Sequence, residues 1–141
     1  MMFVTVWLAV LEISTGKGVA CNAGHENPAI RREEEGFELL KYKHGIVVGA
    51  LKMAQYRDYE VQLAPGDAVF VYTDGIPEAN NAAGEFYGMN RLEAALNRIC
   101  DAGPREILEG VKADVAEFAE GAEQFDDLTM LCVVYQGKDR T

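Results

Sequence analysis

Two stretches of this sequence place carboxylates where chemistry is possible. Asp74 directly follows the apolar run Val69-Phe70-Val71-Tyr72-Thr73, and Asp126-Asp127 leads into Leu128-Thr129-Met130-Leu131-Cys132-Val133-Val134-Tyr135. A carboxylate at the rim of a buried strand is costly unless it is hydrogen-bonded, hydrated or bound to a cation. Hard cations such as Mg²⁺ and Mn²⁺ take oxygen ligands and retain waters, so a few aspartates at strand ends suffice for a site. The spacing leaves an alternative open. Asp-Gly is a common turn dipeptide and aspartate is common just outside a strand. Nothing in the local sequence requires the two positions to meet.

The elements that must position these residues are legible from pattern. Phe3–Ile13 reads as a buried strand, followed by the turn Ser14-Thr15-Gly16-Lys17-Gly18 and a second strand over Val19–Asn22. Asn22-Ala23-Gly24-His25-Glu26-Asn27-Pro28 is rich in turn formers. Short strands follow at Ala29–Arg32 and Phe37–Lys41, and Gly45 and Gly49 bracket an apolar loop or short strand. Tyr56–Leu63 alternates with Tyr59, Val61 and Leu63 on one face. Ala64-Pro65-Gly66-Asp67 is a strong turn. Ala68–Tyr72 is continuously apolar, as expected of a strand covered on both faces. Two helices come next, the first with Met89, Leu92, Ala95, Leu96 and Ile99 at helical spacing and a capping box predicted at Asn90 and Glu93. The second starts at Pro104, suited to a first helical turn, and presents Ile107, Leu108, Val111, Val115, Phe118 and Ala119 on one face. Leu128–Tyr135 closes the chain as a last buried strand. Strands without alternating helices predict an α+β architecture, with antiparallel β-sheets and helices packed on one face.

Composition narrows the classes of function. The 141 residues suit one domain, and nearly half are apolar, so a real core is expected. Thirteen basic against 23 acidic residues give a net charge of −10, which disfavours nucleic acid and anionic membranes as partners. Bound divalent cations can reverse that sign locally. Much of the acidity, such as Glu33-Glu34-Glu35, suits a solvated loop. Cys21, Cys100 and Cys132 are dispersed and odd in number, which supports neither a zinc site nor a disulfide framework and fits core fillers in a reducing cytoplasm. The apolar start lacks a basic region and a small-residue cleavage site and is too short to span a bilayer, so neither a signal peptide nor membrane insertion is expected.

Tyr72-Thr73-Asp74-Gly75-Ile76-Pro77-Glu78-Ala79 resembles the Y-T-D-G-x-x-E-A motif of the bacterial stage-II-sporulation-E-type serine phosphatases, within the metal-dependent, type 2C-like (PPM) phosphatases. Asn22-Ala23-Gly24-His25 is similar to that family's N-A-G-H strand end, and Asp126-Asp127-Leu128-Thr129 to its terminal D-D-x-T. Ala64-Pro65-Gly66-Asp67 and Gly84-Glu85-Phe86-Tyr87-Gly88 agree with its linking segments, in the same order. The resemblance implies part of an αββα sandwich. It also implies a two-metal Mn²⁺ or Mg²⁺ centre with Asp74 and Asp126 as ligands and Asp127 as an additional or supporting carboxylate. The implied reaction is hydrolysis of phosphoserine or phosphothreonine by a metal-activated water, without a phosphoenzyme. The implied substrate is a small regulatory phosphoprotein, such as an anti-sigma-factor antagonist in a partner-switching pathway.

Around those ligands, Gly75, Asn22, Gly24 and Thr129 are expected to support the site, Asn22 by hydrogen bonds within its turn and Thr129 through its hydroxyl. His25 is a weaker candidate for a general acid, its alternative being a hydrogen-bonded turn residue. Glu78 fits the start of a short helix, and His44 has no constellation around it. The family pattern also includes an upstream G-D-x-S-G-x-G-like loop whose aspartate bridges both metals, and residues 1–141 contain no such motif. The chain is therefore expected to be a single, N-terminally incomplete phosphatase domain, weakly active or inactive alone. Unsatisfied sheet edges or an uncovered apolar face then predict a homodimer. The rival expectation is a non-catalytic phosphatase-like module that binds a partner without turning it over.

Overall fold

Short turns force antiparallel neighbours, and two strand pairs of the protein arise that way, residues 6–11 with 17–23 and residues 29–32 with 36–39. The computed structural model describes residues 2–123 and 126–138. In chain order the elements are β1 (Val6–Leu11), β2 (Lys17–Ala23), β3 (Ala29–Arg32), β4 (Gly36–Leu39), β5 (Asp58–Gln62), β6 (Ala68–Tyr72), α1 (Gly88–Arg98), α2 (Pro104–Phe118) and β7 (Met130–Val134). One sheet has the order β1-β2-β5 and the other β4-β3-β6-β7. Every pairing in both is antiparallel. The predicted α+β class with helices on one face is what forms.

β6 explains how the layers stack. Its alternate residues Ala68, Phe70 and Tyr72 join the cluster of Leu92 and Leu96 from α1 with Ile107, Val111 and Val115 from α2. The intervening Val69 and Val71 pack with Ile30, Leu63, Trp7, Leu11 and Val61 between the two sheets. A strand covered on both faces has no polar side to show, which is why this run is apolar throughout. The order of layers is helices, four-stranded sheet, three-stranded sheet.

The outer strands differ from expectation. β1 and β7 were predicted to be buried, yet Leu8 and Val10 are 61% and 64% exposed and Leu131 is 58% exposed. Each is an edge strand covered on one face only, and a continuous apolar run does not reveal how many faces are covered. The helix-facing side is full, while on the sheet-facing side Leu131 and Val133 of β7 remain exposed. The outer side of the three-stranded sheet is open among the described residues.

Polar groups tie the turns to this frame. The carboxylate of Asp67, 3% exposed, accepts hydrogen bonds from Ala64 N–H at 3.0 Å, Glu33 N–H at 3.3 Å and Arg32 Nη1 at 2.6 Å. Arg31 donates to the carbonyls of Cys100, Ala102 and Gly66 at 2.5, 3.1 and 3.0 Å, joining the α1–α2 link to β3. Pro104 occupies the first turn of α2 as predicted. The capping box does not form, because α1 starts at Gly88 and takes Asn90 and Glu93 into its body, with no side-chain cap on its first turn. No helix among the described residues is long and apolar enough to cross a membrane.

Candidate metal centre

The register of β6 with β7 decides whether the two aspartate stretches meet. Tyr72 pairs with Met130, so the residues following β6 must run beside those preceding β7. The backbone continues that course past the ladder. Thr73 N–H donates to the Thr129 carbonyl at 3.1 Å, and Thr73 Oγ1 donates to the Asp127 carbonyl at 3.3 Å while accepting from Thr129 N–H at 3.3 Å. Asp74-Gly75 and Asp126-Asp127 therefore lie side by side at one end of the four-stranded sheet. A Cβ built on Gly75 would stand 2.3 Å from the Asp127 carbonyl oxygen and 3.6 Å from Asp126 Cβ. Only a residue without a side chain admits that approach.

Within its own segment, Asp74 begins a tight turn. Its carbonyl accepts from Glu78 N–H at 2.9 Å, and Ile76 N–H donates to the Thr73 carbonyl at 3.2 Å. The helix start expected at Glu78 is this single turn. Further along, Tyr87 N–H donates to the Ala79 carbonyl at 2.7 Å and Gly88 N–H to Pro77 at 2.9 Å, closing the loop onto the beginning of α1.

The N-A-G-H stretch arrives from the three-stranded sheet. Asn22, 4% exposed, accepts from His25 N–H at 2.8 Å and donates to the His25 carbonyl at 2.9 Å and to Asn27 Oδ1 at 3.0 Å. Gly24 has φ +74°, and a Cβ there would meet Val47 Cγ1 at 2.5 Å, so this turn also needs glycine. The turn delivers Gly24, His25 and Glu26 to a cleft of about 60 Å³ that is also lined by Thr5, Thr73 and Asp74. The His25 ring Nδ1 lies 3.1 Å from Thr5 Oγ1. Three separated motifs thus share one end of the molecule.

Charge in this region is surface charge. Asp74, Asp126 and Asp127 are all exposed, and Asp126 Oδ1 accepts the Asp127 N–H at 2.7 Å. Beneath them Tyr72 is buried, and burial together with the nearby Glu26 carboxylate pushes its phenol well above the usual tyrosine range. Tyr72 stays neutral and donates to Met89 Sδ at 3.6 Å. The oxygen donors are of the kind that Mn²⁺ and Mg²⁺ prefer. In number they fall short: among the described residues no group of three or more His, Cys, Asp or Glu side chains is gathered to hold a metal ion. Asp74 and Asp126 both present exposed carboxylates, Asp74 lining the cleft with His25 and Asp126 the neighbouring surface beside Gly75.

The contacts of Thr129 across the junction run through its backbone, with Thr73 as partner, where the sequence suggested a hydroxyl beneath Asp126. His44 is exposed and lies outside the cleft. Thr5 and Glu26 were not singled out from sequence. Thr5 did carry a signal, as the one polar residue in an otherwise apolar start.

Comparison with known proteins agrees with this fold. Residues 1–136 match the family described as Stage II sporulation protein E (SpoIIE). Protein IcfG from Synechocystis sp. is 33% identical over 132 residues, which are 94% of this chain and 20% of IcfG. The SiaA-PP2C domain of Pseudomonas aeruginosa has a TM-score of 0.79 at 25% identity, covering 93% of this chain and 51% of that one. The phosphatase domain of the cell fate determinant SpoIIE from Bacillus subtilis, presoaked with Mn, has a TM-score of 0.73 at 15% identity, covering 97% and 59%. A structure of RsbU and RsbW domains from Mycobacterium tuberculosis gives 0.71 at 17% identity, covering 96% and 37%. The chain therefore spans a fifth of IcfG and little more than half of the SiaA and SpoIIE chains. With its paired T-D-G and D-D strand ends, the chain belongs to the SpoIIE family of PP2C-type phosphatase domains.

Proposed function

We propose that this chain is the C-terminal part of a protein serine/threonine phosphatase domain, and that Asp74 and Asp126 are its contribution to a divalent-cation site. The observation that carries the reading is the junction at Thr73, Gly75, Asp127 and Thr129, which joins two stretches more than 50 residues apart in sequence. Mn²⁺ or Mg²⁺ held there would supply an activated water and offset charge on the phosphoryl oxygens. The chain's own residues do the positioning. Thr73 locks the two strand ends together, Gly75 permits their approach, and the Asn22 turn presents His25 beside Asp74. Asp127 supports through its carbonyl, with its carboxylate available outside the junction.

The substrate we infer is a phosphoserine or phosphothreonine on a small regulatory phosphoprotein in the cytoplasm, of the anti-sigma-factor-antagonist kind. The pairing of RsbU with RsbW domains in a solved relative supports a partner-switching role. The chain covers only 59% and 51% of the matched phosphatase chains, which leaves room for further ligands outside these residues. A second reading, a phosphatase-like module that binds without turnover, is favoured by the lack of a three-donor cluster among the described residues.

The test is Mn²⁺-dependent hydrolysis of a phosphoserine peptide. Loss of an outer-shell partner alone costs about 10–100-fold in metal sites, so Asp74→Asn and Asp126→Asn should each cost about 100-fold or more. Unchanged activity in both variants rejects the ligand assignments. Phosphopeptide binding with no hydrolysis, both by the chain alone and by the chain fused to the G-D-x-S-G-x-G-bearing segment of a family member, selects the second reading.

A further inference from the structure

Beside the aspartate junction a groove of about 410 Å³, not lined by His25, opens between α2 and the loop that follows β6. Its walls include Gly75 and Asp126, so it is continuous with the candidate site. Val115 and Leu128 form its base, and Ala116 on α2 and Ala119 just after it leave room above them. Its volume falls in the range of about 300–1,000 Å³ typical of ligand pockets.

The charge around this groove is one-sided. Glu78 and Glu123 line it with Asp126, against a single cation among the described residues, Lys112. Neither Glu78 nor Glu123 enters an ion pair among the described residues. Two exposed carboxylates beside an apolar floor complement a chain segment that carries both an aliphatic side chain and a cation. A peptide advances at most about 3.3–3.6 Å per residue, so chain flanking a phosphoserine held at Asp74 and Asp126 must cross the surface next to them within a few residues.

Resting on the phosphatase reading above, we propose that this groove receives the segment of the substrate phosphoprotein next to its phosphorylated residue. It selects there for an aliphatic side chain accompanied by Lys or Arg. The aliphatic group sits over Val115 and Leu128, and the cation lies against Glu78 and Glu123. The groove determines specificity and takes no part in bond breaking.

The test is binding, with Mn²⁺ present, of the 141-residue chain to arrayed dodecapeptides, with serine or phosphoserine at the centre and each flanking position varied. Leu, Ile, Val or Met together with Lys or Arg should be enriched on one side of the centre. Ala116→Trp, on the exposed face of α2, should fill the groove and weaken the aliphatic preference about tenfold, with helix content unchanged by circular dichroism. Glu78→Lys should move the charge preference towards Asp and Glu. Absence of a flanking preference, or the same preference in both variants, overturns the proposal. Flanking selectivity that ignores the phosphate supports the groove and counts against the phosphatase reading. Phosphate selectivity without flanking preference does the reverse.

Discussion

Gly75 carries more of the site than its lack of a side chain suggests. A methyl group there would stand 2.3 Å from the Asp127 carbonyl, a separation no packed pair tolerates, so Gly75→Ala must push the 126–128 segment away from Asp74. Overpacking of this kind costs about 1–3 kcal/mol. A displacement of about 1 Å can cost about 100-fold in rate. We expect Gly75→Ala to keep the fold, with a modestly lower melting temperature, and to lose most Mn²⁺-dependent hydrolysis. An unchanged rate would mean that the junction does not set the spacing of the carboxylates. Asp74 and Asp126 were legible as residues because a charge bordering an apolar run stands out. Asn22 was legible as a turn former. Thr5 was not, because its partner His25 comes from another strand end and no local spacing links them. The reason for Gly75 was also hidden: the turn dipeptide explains a glycine, but the tighter demand comes from a backbone 52 residues away.

Among the elements, the two helices and the loop after β6 are pinned at one carboxylate. Asp114 on α2 accepts the Tyr87 hydroxyl at 2.5 Å and Arg91 Nε at 3.0 Å, and it also pairs with Arg98. Burial alone would raise its pKa. The hydrogen bonds from Tyr87 and Arg91 and the charges of Arg91 and Arg98 outweigh burial and hold it below the usual carboxylate value. A carboxyl depressed by folding adds stability that is present above its unfolded pKa and is lost as pH falls through the folded one. Asp114→Asn should therefore destabilise by about 1–3 kcal/mol at neutral pH. Urea melts should show the gap between wild type and variant closing below the ordinary carboxylate range. A gap that persists into strong acid would remove the ionic account of this cluster. Element types were readable from period and turn residues, and Ala29–Arg32 and Ala68–Tyr72 form with the bounds read from sequence. The capping box predicted at Asn90 and Glu93 does not form, and its failure was not readable, since the entry to α1 is built by backbone contacts to Ala79 and Pro77 across the loop.

For the molecule as a whole, the open face of the β1-β2-β5 sheet is the outstanding physical feature. Leu8, Val10 and Val19 are 61%, 64% and 47% exposed, and by the register of β1 with β2 they share one face. Contiguous apolar surface of this kind favours association, opposed here by a net charge of −10 that salt screens. Sedimentation should show concentration-dependent association that strengthens with salt and is reduced by Leu8→Lys with Val10→Lys. A stable monomer at high concentration would contradict it. The sequence disclosed the apolar strands but not which face lacked cover, because cover depends on what lies opposite. The central claim, that two distant strand ends share one cation, is tested most directly by titrating Mn²⁺ into the isotopically labelled chain and following amide resonances. Amides of Gly75 and Asp127 should broaden together at the same low Mn²⁺ concentration, and Asp74→Asn should abolish the effect at both. Broadening at one stretch alone, or at both but indifferent to Asp74, would contradict a shared site.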